Sequence, residues 1–157
     1  MSEVQENALH RRGVRGLEES ERLEGFEMRE SLFRGKRADN GEWIEGFLVK
    51  KFDKWYIYDF DFLPYSSEIT PETASQYTGL TDKNGKKIFE GDIVKEVSMH
   101  FRTMKIEKNI YAVEWCEFNF TYRLIRRFDN GERTTYLTKC GDYEVIGNIH
   151  DNPELLK

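Results

Sequence analysis

Three Asn-Gly pairs, Asn40-Gly41, Asn84-Gly85 and Asn130-Gly131, constrain the fold of this chain more than any other feature. A two-residue type I′ turn needs a positive φ at both central positions, and Asn and Gly adopt that conformation most easily. Strands are expected on both sides of each pair, for example over residues 31–37 and 42–51 around the first. The pairs therefore predict a mainly β fold built from hairpins.

Residues 77–95 hold two predicted turns in quick succession. The second turn is Glu90-Gly91-Asp92, where Gly91 can supply a left-handed residue and the Asp92 side chain can accept a hydrogen bond from a nearby backbone N–H. A turn of this kind before a β-branched strand recurs in small SH3-like barrels, so we predict a small β-barrel with SH3-like elements. Backbone strain is expected to make Gly91→Val destabilising by a few kcal/mol.

The same stretch could also be a calcium loop, whose oxygen ligands would be Asp82, Asn84, Glu90 and Asp92. An EF-hand has ligands at positions 1, 3 and 5, Gly at 6 and Glu at 12. Counted from Asp82, position 5 is Lys86, the Gly falls at position 4, and position 12 is Ile93. The spacing does not fit, so no metal site is predicted here, and Asp82→Ala is expected to lower stability little.

The chain of 157 residues is long enough for one domain, or for two small lobes that share a core. Residues 1–27 are crowded with Glu and Arg and hold one aromatic residue, Phe26. This segment is predicted to be a mobile extension with a short helical piece, or a helix that docks on a partner chain. Residues 28–157 are predicted to form the β-rich domain, whose two lobes would span about 28–76 and 77–157.

Two further segments are expected to lie outside strands. Residues 98–109 are polar and irregular, which predicts a loop at a strand end. At the C-terminus, Asn152 is a good N-cap and Pro153 a good first helical residue. A single helical turn is therefore expected there, with Leu155 and Leu156 packed inward.

Rings alternate with other residues over positions 55–62. One face of this strand would carry Tyr56, Tyr58, Phe60 and Phe62, and the other would carry Trp55, Ile57, Asp59 and Asp61. The ring face is expected to pack the core, since aromatic residues make up 14% of the chain and must supply much of the buried area. The alternative is a platform on which bases or sugars stack, although two aspartates on the opposite face would repel a phosphate backbone.

The net charge is −5, which argues against broad attraction to nucleic acid or to an anionic membrane. No apolar run approaches the roughly 20 residues of a membrane span, and the N-terminus carries no apolar signal-peptide region, so neither a membrane segment nor secretion is predicted. Cys116 and Cys140 are solitary. Free thiols in a reducing cytoplasm are expected, with a disulfide as the alternative.

The most basic stretch is the hairpin of residues 120–139, whose charges alternate with rings. Its basic residues are Arg123, Arg126, Arg127, Arg133 and Lys139. Such a ribbon could follow a phosphate backbone, which makes these five residues the candidate nucleic-acid site. The alternative is a solvated strand face whose charges are balanced by acidic neighbours.

No pattern of catalytic residues, cofactor cradle or metal ligands is present. His10, His100 and His150 lie far apart, with no ligand or nucleophile spacing. An enzyme would have to be a hydrolase built from carboxylates that the fold brings together. The candidates are Asp59, Asp61, Glu90 and Asp92. No catalytic residue, cofactor or metal is therefore predicted.

Several segments resemble the YopX family of mainly phage- and prophage-encoded proteins of uncharacterised function. The segments are residues 33–36, which read Phe-Arg-Gly-Lys, and residues 41–46, 76–94, 113–115 and 144–156. The resemblance spans positions 28–157, and members of the family typically begin near the position of Met28. Residues 1–27 therefore look like an extension outside the shared fold.

The resemblance implies a β-rich fold, a homo-oligomer and a phage or prophage setting in a bacterial cytoplasm, and it carries no catalytic residues. The first hypothesis is therefore a non-enzymatic accessory protein, an oligomeric module that binds protein partners. Nucleic-acid binding by the 120–139 hairpin is the second hypothesis, and a carboxylate-based hydrolase is the third.

Overall fold

The computed structural model describes residues 31–59, 65–100, 102 and 104–157, and strands make up most of this part of the chain. The strands are β1 (Phe33–Lys36), β2 (Trp43–Lys51), β3 (Lys54–Tyr58), β4 (Ser66–Glu68), β5 (Ser75–Thr81), β6 (Lys87–Phe89), β7 (Asp92–His100), β8 (Lys105–Cys116), β9 (Thr121–Phe128), β10 (Gly131–Tyr136) and β11 (Tyr143–Asn148). Two short 3-10 helices, Pro71–Thr73 and Pro153–Leu156, are the helical elements of these residues. In the described part of the chain, no helix has the length and apolar character needed to cross a bilayer.

The strands form two antiparallel sheets that follow one another along the chain. The first sheet has six strands in the order β4-β3-β2-β1-β5-β6, and the second has five in the order β10-β9-β8-β7-β11. The chain passes from one sheet to the other through Glu90 and Gly91. The mainly β prediction is confirmed, but no closed barrel is detected among the described residues. The end of β4 meets the continuation of β1 through an isolated bridge between Arg37 and Ile69, and the Ala38 N–H donates to the Glu68 carbonyl there at 2.9 Å.

The hairpins occur where the Asn-Gly pairs predicted them, although the turn type differs. Around the second pair, the Asp82 N–H donates to the Lys86 carbonyl at 2.8 Å, which closes a three-residue loop. Only Gly85 has a positive φ there, at 81°, so the loop is a type I turn ending in a left-handed Gly rather than a type I′ turn. At the third pair, Gly131 already belongs to β10, opposite Phe128.

The loop predicted over residues 98–109 is wrong. The ladder between β7 and β8 continues without a break from Ile93 opposite Ala112 to His100 opposite Lys105. Its outer half is a protruding hairpin in which Met99 and Ile106 lie opposite each other and are both exposed. Because this half of the hairpin is exposed, its strands tolerate polar residues. The polar composition of the segment is therefore typical of a loop although the segment forms strands.

The main hydrophobic cluster lies on one face of the second sheet and takes Ile88 from the first. Its buried members are Ile88, Val94, Tyr111, Val113, Leu124, Leu137 and Tyr143. The register places the central residues side by side, with Val94 opposite Tyr111 and Val113 opposite Leu124. Alternation along each strand thus gives one continuous apolar face.

In the first sheet, the expectation for the rings of β3 is wrong for the described residues. Ile57 is 1% exposed and packs with Ile69 over Gly35, where a Cβ atom would lie 2.7 Å from Ile69 Cδ1. Tyr56 and Tyr58 point to the other face and are only half-buried. The absence of a side chain at position 35 lets two isoleucines close over β1, so they form the core in place of the rings. Phe60, Asp61 and Phe62 lie outside the described residues.

The 3-10 helix Pro153–Leu156 begins at the predicted proline. Asn152 precedes it without a side-chain capping bond to the helix, and the helix has no fully buried residue. Leu155 and Leu156 are half-buried, so the inward packing expected of them is incomplete. The expected N-terminal helical piece and the 1–27 boundary lie outside the described residues.

Candidate functional site

The two sheets are joined by a buried ion pair. Arg34 of β1 approaches Asp92 of β7 with 2.5 Å between Nη2 and Oδ1, and the Asp92 side chain is 1% exposed. The other carboxylate oxygen of Asp92 accepts a hydrogen bond from the Phe89 N–H at 2.8 Å, as the turn sequence predicted. Burial raises the pKa of Asp92, and the Arg34 charge only partly opposes this effect. Gly91 makes the arrangement possible, because its φ of 76° turns the chain between Phe89 and Asp92.

The Arg34 guanidinium lies against two rings. Its Cζ atom is 4.8 Å from the ring centroid of Trp43 and 4.6 Å from that of Phe89. Its Nε atom is buried and has no hydrogen-bond partner among the described residues. Cation–π contacts with the two rings therefore fix the side chain, while one of its donors remains unused.

Asp151, near the C-terminus, completes the junction. Its carboxylate accepts hydrogen bonds from the Lys36 ammonium and, at 2.8 Å each, from Trp43 Nε1 and Asn148 Nδ2. These hydrogen bonds hold the pKa of Asp151 far below its usual range. His150 beside it has a pKa lowered by burial and by the Lys36 charge. The carboxylate thus connects β1, β2 and the turn after β11.

These side chains surround a cavity of about 390 Å³. Its lining residues are Arg34, Trp43, Glu45, Lys86, Asp92, Val145, Ile146, Gly147, Asn148, Asp151 and Asn152. We call this region the junction cavity. Four segments that are distant in sequence meet here: β1, β2, the turns around 86 and 92, and the chain from 145 to 152.

Sequence reasoning did not identify the junction cavity. It predicted the hydrogen-bonding role of Asp92, but it assigned no role to Arg34, Trp43 or Asp151. One signal was available, because each of these residues lies in a segment that carried the family resemblance. The shared segments were interpreted as separate pieces of architecture, whereas the fold brings several of them to one place.

Asp82 is also more engaged than its sequence context indicated. One oxygen accepts hydrogen bonds from the N–H groups of Asn84 at 2.8 Å and Lys86 at 3.0 Å, and the other accepts from Val145 at 3.1 Å. Burial alone would raise the pKa of Asp82, but these hydrogen bonds outweigh it and the pKa is lowered. These contacts contradict the expectation that Asp82→Ala lowers stability little, because the carboxylate connects the β5–β6 turn to β11.

The basic residues of the 120–139 hairpin do not share one surface. Arg127 forms a two-pronged hydrogen bond to Glu114 at 2.6 and 2.9 Å, and Arg123 lies 3.5 Å from the same carboxylate. Arg126 and Arg133 lie directly opposite each other on the other face of the sheet. Lys139 follows β10 and is exposed. Arg123 also lies 3.9 Å from Glu132, so the fold pairs two of the five cations with carboxylates and leaves Arg126 and Arg133 together.

The carboxylates proposed for a hydrolase have separate environments. Asp92 is committed to Arg34, and Glu90 is half-buried with a pKa raised by burial. Asp59 directly follows β3 of the first sheet, and Asp61 lies outside the described residues. Within the described ranges, no group of three or more His, Cys, Asp and Glu side chains is arranged to hold a metal ion. His150 contacts Trp43, with 6.0 Å between ring centroids, and His10 is not described.

Exposed rings gather at one end of the second sheet. Phe118 and Phe120, in the turn between β8 and β9, are 91% and 81% exposed. Phe120 has a φ of 50°, a conformation that a bulky residue rarely adopts. Tyr136, at the end of β10, is also exposed and accepts a hydrogen bond from Asn119 at 2.9 Å. We call these residues the aromatic end.

The fold and these sites define a mainly β protein of two antiparallel sheets with a polar, ring-lined junction. The chain matches the model of the YopX protein family over residues 32–157 and belongs to that family. No curated protein matches it. Among solved structures, the chain is similar to protein EF1440 from Enterococcus faecalis, with 25% identity over 83% of this chain and 100% of that chain and a TM-score of 0.40.

Proposed function

We propose that this protein is a non-enzymatic, self-associating interaction module, and that the aromatic end and the open edge of β10 bind a second copy of the chain. The observation that carries the proposal is the exposure of Phe118 and Phe120. Large rings are enriched where proteins bind one another, and exposing two of them together is costly in water.

The edge of the second sheet provides the second component. All six residues of β10 are exposed, and the strand pairs only with β9 in the described part of the chain. An edge of this length offers unpaired N–H and C=O groups on which another strand can assemble.

Rings at both ends of β10 favour a second copy as the occupant. Tyr136, which belongs to the aromatic end, is the last residue of the strand, and exposed Phe128 lies opposite its first residue, Gly131. An antiparallel copy of β10 would bring Phe128 of one chain to the Tyr136 end of the other. Such a two-fold contact is self-complementary, as closed homodimers require.

The test is sedimentation velocity at tens of micromolar protein, with Phe120→Asn compared with Phe52→Asn. Phe52 is the matched control, because it is 87% exposed with a φ of 55° but lies in the turn between β2 and β3, away from the second sheet. Both variants place Asn, which tolerates a left-handed conformation, at a strained position. Self-association lost in Phe120→Asn and kept in Phe52→Asn is the expected result. A wild-type monomer over this concentration range would refute the proposal.

Nucleic-acid binding by the hairpin is a second candidate, favoured by one observation. Like charges directly opposite each other destabilise a sheet, yet Arg126 and Arg133 are neighbours without a described carboxylate partner, and Arg126 lies 5.1 Å from the Phe128 ring centroid. A phosphate would relieve that repulsion. The test is a mobility shift of single- and double-stranded DNA and RNA at low salt, where Arg126→Ala should weaken binding. No shift with any probe would exclude this function.

The setting that we propose for this module is the bacterial cytoplasm during phage or prophage gene expression. The family resemblance supports it. The unpaired state of half-buried Cys116 and exposed Cys140 also accords with a reducing compartment.

A further inference from the structure

The carboxylates around the junction cavity are fully engaged. Both oxygens of Asp92 and both oxygens of Asp151 accept the hydrogen bonds described above. Glu45, at the rim, pairs with Lys87 at 3.3 Å. The acidic groups of the cavity are therefore neutralised by cations that the protein itself supplies.

Two cationic groups of the same cavity keep unused capacity. The Arg34 Nε atom is buried without a described partner. Lys86 forms no ion pair or side-chain hydrogen bond with any described residue, yet its charge is close enough to oppose part of the rise that burial causes in the pKa of Asp92. Because the rings of Trp43 and Phe89 hold the guanidinium in place, the part of the Arg34 side chain that lines the cavity has a fixed position.

The opposite wall of the cavity is an irregular part of β11. The register with β7 shifts between Val145 and Gly147, which takes Ile146 out of regular pairing. At Gly147 a Cβ atom would lie 2.6 Å from Asn152 Oδ1, so only glycine lets the chain approach this closely. Bulges of this kind free backbone groups and are common beside binding sites.

We propose that the junction cavity binds the oxyanion group of a small ligand, a carboxylate or a phosphate, between Arg34 and Lys86. Because the carboxylates already accept hydrogen bonds, the groups of the cavity without a partner are the hydrogen-bond donors of Arg34 and Lys86. A guanidinium together with an ammonium is well suited to bind such an anion. The volume of about 390 Å³ lies within the range of small-molecule sites. This site is separate from the aromatic end, so its test is independent of self-association.

The experiment is a titration of the full chain, labelled with ¹⁵N, with inorganic phosphate in one arm and succinate in another, at constant ionic strength. The reporter is the Trp43 indole N–H, which lies in the cavity wall. Trp55 and Trp115 lie elsewhere and serve as internal controls. We expect saturable movement of the Trp43 resonance with little movement of the other two. Tighter binding in one arm identifies a phosphate or a carboxylate as the preferred group.

Two variants make the result specific. Lys86→Ala should weaken binding by about fivefold, which is roughly what one exposed ion pair contributes. Lys105→Ala removes the same charge at the start of β8, away from the cavity, and should leave binding unchanged. A Trp43 resonance that moves no more than those of Trp55 and Trp115, or that responds equally in Lys86→Ala, would overturn the proposal.

Discussion

Arg34 and Asp92 lie 58 residues apart in sequence, and their side chains meet at 2.5 Å to join the two sheets. The carboxylate is 1% exposed, so its charge is tolerated only because the guanidinium and the Phe89 N–H accompany it. This contact makes the junction a structural requirement as well as a candidate binding site.

Replacing Arg34 by an uncharged residue should therefore lower the stability of the protein strongly. Arg34→Met keeps the length of the side chain but leaves a buried carboxylate unpaired, and we expect a loss of about 3–5 kcal/mol in the free energy of unfolding, measured by urea denaturation. Lys54→Met is the control, because it breaks the exposed pair with Glu68 and should change stability little. Similar losses in the two variants would contradict this role of the junction.

Asp82→Ala should also be costly, contrary to the expectation from sequence. The substitution removes three backbone hydrogen bonds, including the one that connects the β5–β6 turn to Val145, and we expect a loss of about 3 kcal/mol. The measurement is the urea midpoint. Asp39→Ala, in an exposed hairpin turn, is the control and should have little effect. A midpoint for Asp82→Ala as high as that of Asp39→Ala would show that the contacts are dispensable.

The pKa of Asp82 predicts a specific acid dependence. Since the pKa is lower in the folded state than its unfolded value of about 3.9, the contribution to stability is complete above that value and is lost as pH falls through the folded pKa. Asp92 and Glu90 have raised pKa values, so they bind protons more tightly in the folded state. Their protonation at low pH therefore favours the folded state, opposite to the effect of Asp82.

The comparison of wild type with Asp82→Asn isolates this effect. The Asn side chain does not titrate. Its NH2 group also replaces one of the two oxygens that accept hydrogen bonds from backbone N–H groups. We expect the stability difference between the two proteins to shrink as pH is lowered from about 5 to about 2, as followed by urea unfolding at each pH. A difference that stays constant with pH would mean that Asp82 is not the titrating group.

Two glycines separate backbone strain from crowding. Gly85 and Gly91 have φ values of 81° and 76°, but no atom lies within 4 Å of a Cβ at Gly85, whereas one at Gly91 would lie 3.4 Å from Ile149. Gly85→Val should cost about 1–3 kcal/mol through strain alone, and Gly91→Val should cost more. Thermal unfolding of the two variants measures the order, and a reversed order would mean that the contact with Ile149 adds no cost at Gly91.

Local signals explain which features could be predicted from sequence. A turn depends on a few adjacent residues, so the Asn-Gly pairs located the hairpins, and the Glu90-Gly91-Asp92 turn predicted the bond from Asp92 to a backbone N–H. The turn type was missed because loop length follows from the pairing register of the strands. Whether the strands close into a barrel could not be predicted for a related reason, since closure depends on pairing between distant strands.

The junction cavity could not be predicted, because its contacts are between distant residues. Lys36 meets Asp151 across 115 positions, and Trp43 meets the same carboxylate across 108. No spacing rule connects an Arg, a Trp and an Asp at such separations. In the sequence alone, these residues cannot be distinguished from ordinary charged and aromatic surface residues.

The contacts of the last strand and the turn after it have a consequence for synthesis on the ribosome. Lys36, Trp43 and Asp82 leave the ribosome long before Val145 and Asp151, which are their partners. These side chains therefore stay hydrated until residues 143–157 have been translated and can pack against the first sheet. Proteolysis or premature termination before residue 143 would then release an incompletely folded chain, so quality control in the cell should recognise it and degrade it.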